Sequence, residues 1–145
     1  MENDLLKITT SKMTITHEAA SAMAEEAIKK AMEMNLAISI CILDNAGNLI
    51  HFLRMDNAPL ISIETSKKKA SMAVGFGMPT GDAWYDFIKN DPLLMNGAQQ
   101  LPGFILLGGG LPINIDGHLC GAIGISGGHY KQDEICAKQA LSIFS

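Results

Sequence analysis

Basic charge is scarce in this chain. Eleven Lys and Arg stand against fifteen Asp and Glu, for a formal net charge of −4. Nucleic-acid phosphates reward clustered positive charge, and Lys67-Lys68-Lys69 is the one basic run. Three consecutive residues fan around a helix and read as a solvated face, so no nucleic-acid partner is expected. Charged residues of both signs reach only 18%, which leaves apolar surface for a subunit interface as well as a core. Cys41, Cys120 and Cys136 form no CxxC and sit in apolar surroundings. That pattern fits buried free thiols in a reducing compartment better than a disulfide framework. No run is long enough to span a membrane, and Met1–Met13 has no signal-like apolar stretch, so a cytoplasmic protein is expected. The histidines and cysteines lack close ligand spacing, which argues against a structural zinc site.

Glycine is what the chain has in quantity, and it falls where strands must turn. At 145 residues the chain reads as one domain, 1–145, with residues 1–13 as an N-terminal arm. Thr16 caps a helix that runs to about Met34. Ala20, Met23, Ala24, Ala27 and Ala31 recur along it at helical spacing. The small-residue stripe suits a close approach to a sheet or to a neighbouring subunit. Leu36–Leu43 and Leu49–Met55 flank Asp44-Asn45-Ala46-Gly47-Asn48, a turn sequence, and form a hairpin. Pro59 fits the first position of a second helix, capped by Asn57 or Ala58 and ending near Gly75. Trp84, Phe87 and Ile88 read as one helical turn within an otherwise irregular 80–100. Strands are expected over Ile105–Leu107, Leu111–Ile115 and Leu119–Ser126, followed by a helix over Tyr130–Ile143. Short reversals exclude a doubly wound sheet, which needs crossover helices. The expected fold is α+β: a five-stranded, mainly antiparallel sheet flanked by helices in three α/β/α layers.

Few residues point to chemistry. His17 shares a face with Ala20, Ala24, Ala27 and Ala31 in the first turn of its helix. There it is either a cap or packing residue, or an imidazole able to ligate haem iron. Gly127-Gly128-His129 joins strand to helix; exposed N–H groups at such a start can hold a carboxylate or phosphate, or the glycines simply reverse the chain. Arg54 either anchors a small anionic ligand or fixes its own loop by pairing with Asp56 or Glu64. His51 reads as a sheet-face residue and His118 as an exposed turn residue. No serine has a base beside it, and no catalytic residue is assigned.

In combination, Asp44-Asn-Ala-Gly-Asn-Leu, Arg54-Met-Asp-Asn-Ala-Pro-Leu, Lys69-Ala, Pro102-Gly103, Gly108-Gly-Gly-Leu-Pro-Ile, Asp116-Gly, Gly121-Ala-Ile-Gly-Ile-Ser-Gly-Gly and Gln132-Asp-Glu resemble the GlcG/HbpS family, which includes the PduO C-terminal-like domain. The resemblance runs from about Met13 to Phe144. It implies a profilin-like α/β/α domain that assembles as a homo-oligomer, dimer or larger. Several such proteins bind haem, and others stand beside glycolate, glycerol or propanediol metabolism. His17 matches a histidine that ligates iron in some haem-binding members. Arg54 and the Gly124–Gly128 turn match motifs without an agreed role. His129 and Tyr130 depart from the small residue and proline that more usually follow the paired glycines. The expected function is a haem- or tetrapyrrole-binding accessory protein instead of a conventional enzyme. His17 is the metal ligand, and Arg54, Gly127, Gly128 and His129 are further binding candidates. The alternatives are an enzyme or binding protein for a small organic acid or diol-derived metabolite, and an assembly partner of a metabolic enzyme complex.

Overall fold

A computed structural model describes residues 6–145. The first five residues of the arm expected over 1–13 lie outside the described part. The elements are α1 (His17–Glu33), β1 (Ser39–Asp44), β2 (Leu49–Arg54), α2 (Ser62–Phe76), α3 (Asp82–Ile88), α4 (Pro92–Gly97), β3 (Gly110–Ile115), β4 (His118–Ser126) and α5 (Tyr130–Leu141). The strands lie in the order β2-β1-β4-β3, and each neighbouring pair is antiparallel.

Local chemistry explains most of these boundaries. Thr16 has extended backbone and accepts the Ala19 N–H at 3.1 Å, which caps α1. Asp44 Oδ1 accepts the N–H groups of Ala46 and Asn48 at 2.9 and 2.8 Å and closes the first hairpin. In the second, Ile115 pairs with His118 across Asp116 and Gly117. Their φ angles of 50° and 80° suit the tight turn that matches the twist of paired strands.

Alternation along β1 divides the core. Ile40 and Ile42 face one way, with Ile123, Ile125 and Ile113, against the Ala20-Met23-Ala24-Ala27-Ala31 stripe of α1 and Cys136, Ala137 and Ala140 of α5. Cys41 and Leu43 face the other way, toward Ala70 and Val74 of α2. The three layers are therefore α1 and α5, the sheet, and α2. Met23 and the α1 alanines are spent on this internal contact and do not form a free surface. Cys120, like Cys41 and Cys136, is buried as a free thiol.

Helix α2 lies unusually close to the sheet. A Cβ built on Gly124 would collide with the Ser66 carbonyl and come within 2.5 Å of Ala70 N. Real Cβ atoms keep further off, so glycine in β4 and Ser66 and Ala70 in α2 are one device for near contact of backbones.

The sheet has four strands where five are expected. Ile105–Leu107 forms no ladder, because the Leu106 carbonyl accepts the Gly81 N–H at 2.6 Å and ties the segment to the entry of α3. The second helix begins at Ser62, later than Pro59, since Pro59 and Leu60 first make a turn whose carbonyls accept Ser62 and Ile63 N–H. Within 80–100 there are two short helices. Trp84 and Ile88 of α3, and Ala98 in the 3₁₀ turn Ala98–Gln100 that follows α4, gather with Met72 into a small second core.

Candidate functional site

The β4–α5 junction is built around a buried ion pair. Lys69 and Asp133 are each 1% exposed. Lys69 Nζ donates to Asp133 Oδ2 and to the Ile125 carbonyl, both at 2.9 Å. Asp133 Oδ1 accepts the Gly128 N–H at 2.9 Å. Burial holds the Lys69 ammonium below the ordinary lysine range, against the pull of Asp133. Burial likewise pushes the Asp133 carboxyl up, against Lys69 and the Gly128 and Gly127 amides. Both shifts have the same cause: each charge has lost its water, and one partner plus a backbone dipole replaces it. Gly109, at φ 122°, lets the chain before β3 lie directly on the pair. A Cβ there would come within 3.0 Å of Lys69 Nζ and 2.5 Å of the Ile125 carbonyl.

The lysine run is therefore not uniformly solvated. Lys67 lies 5.5 Å over the Phe52 ring and 3.8 Å from Glu64; Lys68 is exposed. Lys69 points inward because 62, 66, 69, 70 and 73 share one helical face, and all five are buried.

Gly127 and Gly128 lead into His129, the N-cap of α5. His129 Nδ1 accepts the Lys131 N–H at 3.1 Å, while its own N–H donates to Gln132 Oε1 at 3.0 Å. This reciprocal cap, with Gly128 N–H given to Asp133, engages the polar groups expected to hold an anion. Arg54 is engaged too. Its Nε and Nη2 donate to the Ala58 carbonyl at 3.2 and 2.7 Å. The expected pairing with Asp56 or Glu64 does not form. A turn closed by Ala58 N–H on Met55 O, with Asn57 at φ 69°, brings a carbonyl under the guanidinium first. Arg54 and Ser126 both pair with Ser39, so Arg54 and the paired glycines end at the same end of the sheet.

His17 stands at the opposite end. Thr14 and Ile15, just ahead of it, bond to the Cys120 carbonyl, and Thr14 Oγ1 accepts the Asn45 N–H. Its side chain is exposed. His118 is exposed at the second hairpin, and His51 is half-buried in β2. Among the described residues no group of three or more His, Cys, Asp or Glu is placed to hold a metal ion. No helix among them is long and apolar enough to cross a membrane.

Sequence reasoning also passed over a cleft of about 280 Å³ beside the α5 start, lined by Gly81, Asp82, Tyr85, Gly108 and Tyr130. Asp82 and Lys131 pair at 2.5 Å at its side. Glu134 Oε1, buried without a donor among the described residues, abuts Gly81 and Gly108.

The sequence model of the haem degrading protein HbpS-like family matches residues 15–142. An uncharacterized 15.0 kDa protein of Citrobacter freundii, from the dhaT-dhaS intergenic region, is 35% identical over 91% of this chain and 93% of its own. The crystal structure of Klebsiella pneumoniae protein ORFY superposes with a TM-score of 0.86 at 34% identity, covering 97% of both chains. That of a PduOC–haem complex gives 0.81 at 27% identity, over 90% of this chain and 94% of that one.

Proposed function

The chain belongs to the haem-degrading HbpS-like family, and from that premise we propose that it binds haem or a related tetrapyrrole as an accessory protein, with His17 as the residue that would hold the iron. The observation that carries this reading is the His17 ring, exposed at the first position of α1. Haem brings four nitrogens to its own iron, so one imidazole suffices and no cluster of protein ligands is required. Bound haem would supply the redox chemistry. The chain's own part is to hold the ring through His17 and to shield it with apolar contacts. Leu6, Ile8 and Met13, exposed at 85%, 83% and 55% just ahead of α1, support that second task. A second copy covering the open face of the ring would make the assembly a homo-oligomer, dimer or larger.

The reading as a small-anion site has less support. Arg54 and the Gly128 N–H already have partners within the fold, and the neighbouring cleft carries the carboxylate of Asp82. A hemin titration separates the two. We expect the wild type to show a shifted Soret band and His17→Ala to bind at least about ten-fold more weakly, roughly 1.4 kcal/mol. An unshifted band in the wild type would remove the proposal.

A further inference from the structure

The cleft beside the start of α5 is walled by Tyr85 and Tyr130, and Leu106 and Leu107 add apolar surface. Three contacts fix these walls. The Gly81 N–H is held by the Leu106 carbonyl, and the Tyr85 N–H donates to the Gly81 carbonyl at 2.8 Å. The Tyr130 ring packs on His129, 4.4 Å between centroids. Asp82 supplies the one charged side chain that lines the cleft. On two of these lining residues the protein already lays an ammonium of its own. Lys131 Nζ meets Asp82 Oδ2 and lies 5.4 Å from the centroid of the Tyr130 ring, within the range at which an aromatic face attracts a cation. The hydrogen bond to Asp82, with the charges of Asp82 and Glu134 behind it, holds the Lys131 ammonium above the ordinary lysine range. Lys131 stays at the rim and leaves about 280 Å³ open. Its side chain and that of Asp82 are 49% and 69% exposed. An ion pair so open to water contributes little, and its ammonium is readily exchanged for another.

We propose that this cleft is a second binding site, separate from His17, for a small primary amine carried on an apolar ring. The ligand's ammonium takes the place of Lys131 on Asp82 and Tyr130, and its ring lies against Tyr85, Leu106 and Leu107. Apolar and aromatic walls with one placed charge are the usual make-up of a small-ligand site. The lone carboxylate repels an anion and gives a cation its orientation. The inference stands whether or not haem binds at His17, at the other end of the sheet.

Calorimetric titration with phenethylamine tests this. The wild type is expected to bind it. 2-Phenylethanol, the same body with a hydroxyl in place of the ammonium, is expected to bind about ten-fold more weakly, and 3-phenylpropionate, which reverses the charge, not at all. Asp82→Asn is expected to bring phenethylamine down to the affinity of the alcohol. Lys131→Met keeps the stem and deletes the resident ammonium, and is expected to raise the affinity about two- to five-fold. Both substituted side chains reach into solvent, so neither change disturbs the core. Glu64, another exposed carboxylate, 3.8 Å from Lys67, is the control for unspecific attraction of cations to an acidic protein; Glu64→Gln is expected to leave the titration unchanged. No binding by the wild type, whatever Lys131→Met does, would overturn the proposal. So would equal affinities for amine and alcohol, an Asp82→Asn or Lys131→Met protein that titrates as the wild type, or a loss in Glu64→Gln as large as that in Asp82→Asn.

Discussion

Lys69→Met is expected to lower folding stability by about 3–5 kcal/mol, against a total of about 5–15 kcal/mol for a domain of this kind. The substitution removes the ammonium but leaves Asp133 in a site with 1% exposure. The Ile125 carbonyl loses its extra donor at the same time. Replacing both charges should be milder than replacing one. Lys69→Met with Asp133→Asn keeps an acceptor for the Gly128 N–H and leaves no charge behind. The double variant is expected to recover about 1–3 kcal/mol relative to the sum of the single losses. Urea unfolding of the four proteins measures this coupling directly. Strict additivity would show that the two side chains do not act as a unit.

The second large effect comes from the smallest residue in the sheet. Gly124→Val drives a branched side chain into the backbone of α2, where the Ser66 carbonyl and Ala70 N leave no room. Neither is the yielding end of a side chain. The helix must lift from β4, opening the contact that Ala70 and Ala73 make on that face, and the expected loss is about 3 kcal/mol or more. Gly75, also in α2, is the opposite case: a Cβ added there meets no atom within 4 Å. Gly75→Ala is expected to gain up to about 1 kcal/mol. Thermal melts of both variants test the contrast. A Gly124→Val protein as stable as the wild type would mean that the helix is not held against the strand as described.

Thr16, the Asp116-Gly117 turn and the α1 alanine stripe were legible because each acts within a few residues of itself. The buried pair was not, because its partners are 64 residues apart and Lys69 is camouflaged by two lysines before it. The signal was nevertheless present: Lys69 falls in register with Ser62, Ser66 and Ala73, and Asp133 with Cys136, Ala137 and Ala140. A charge inside a stripe of small residues marks a partner across the core. Ile105–Leu107 failed in the other direction. Its composition suits a strand, but Gly81 takes its carbonyl, and that bond comes from a segment no periodicity connects to it. Among the site candidates, the paired glycines and His129 were placed correctly at a helix start; that their polar groups face inward and are engaged depended on Asp133 and Gln132.

The buried cysteines carry a consequence for how the protein ages. Burial pushes the thiols of Cys41 and Cys136 up to about 11, so at neutral pH roughly one in ten thousand is a thiolate, the form that peroxide attacks. Damage by oxygen is thereby diverted to thioethers. Among the described methionines Met13 and Met32, 55% and 68% exposed, stand outermost, and their conversion to sulfoxides is a change that reductases can reverse.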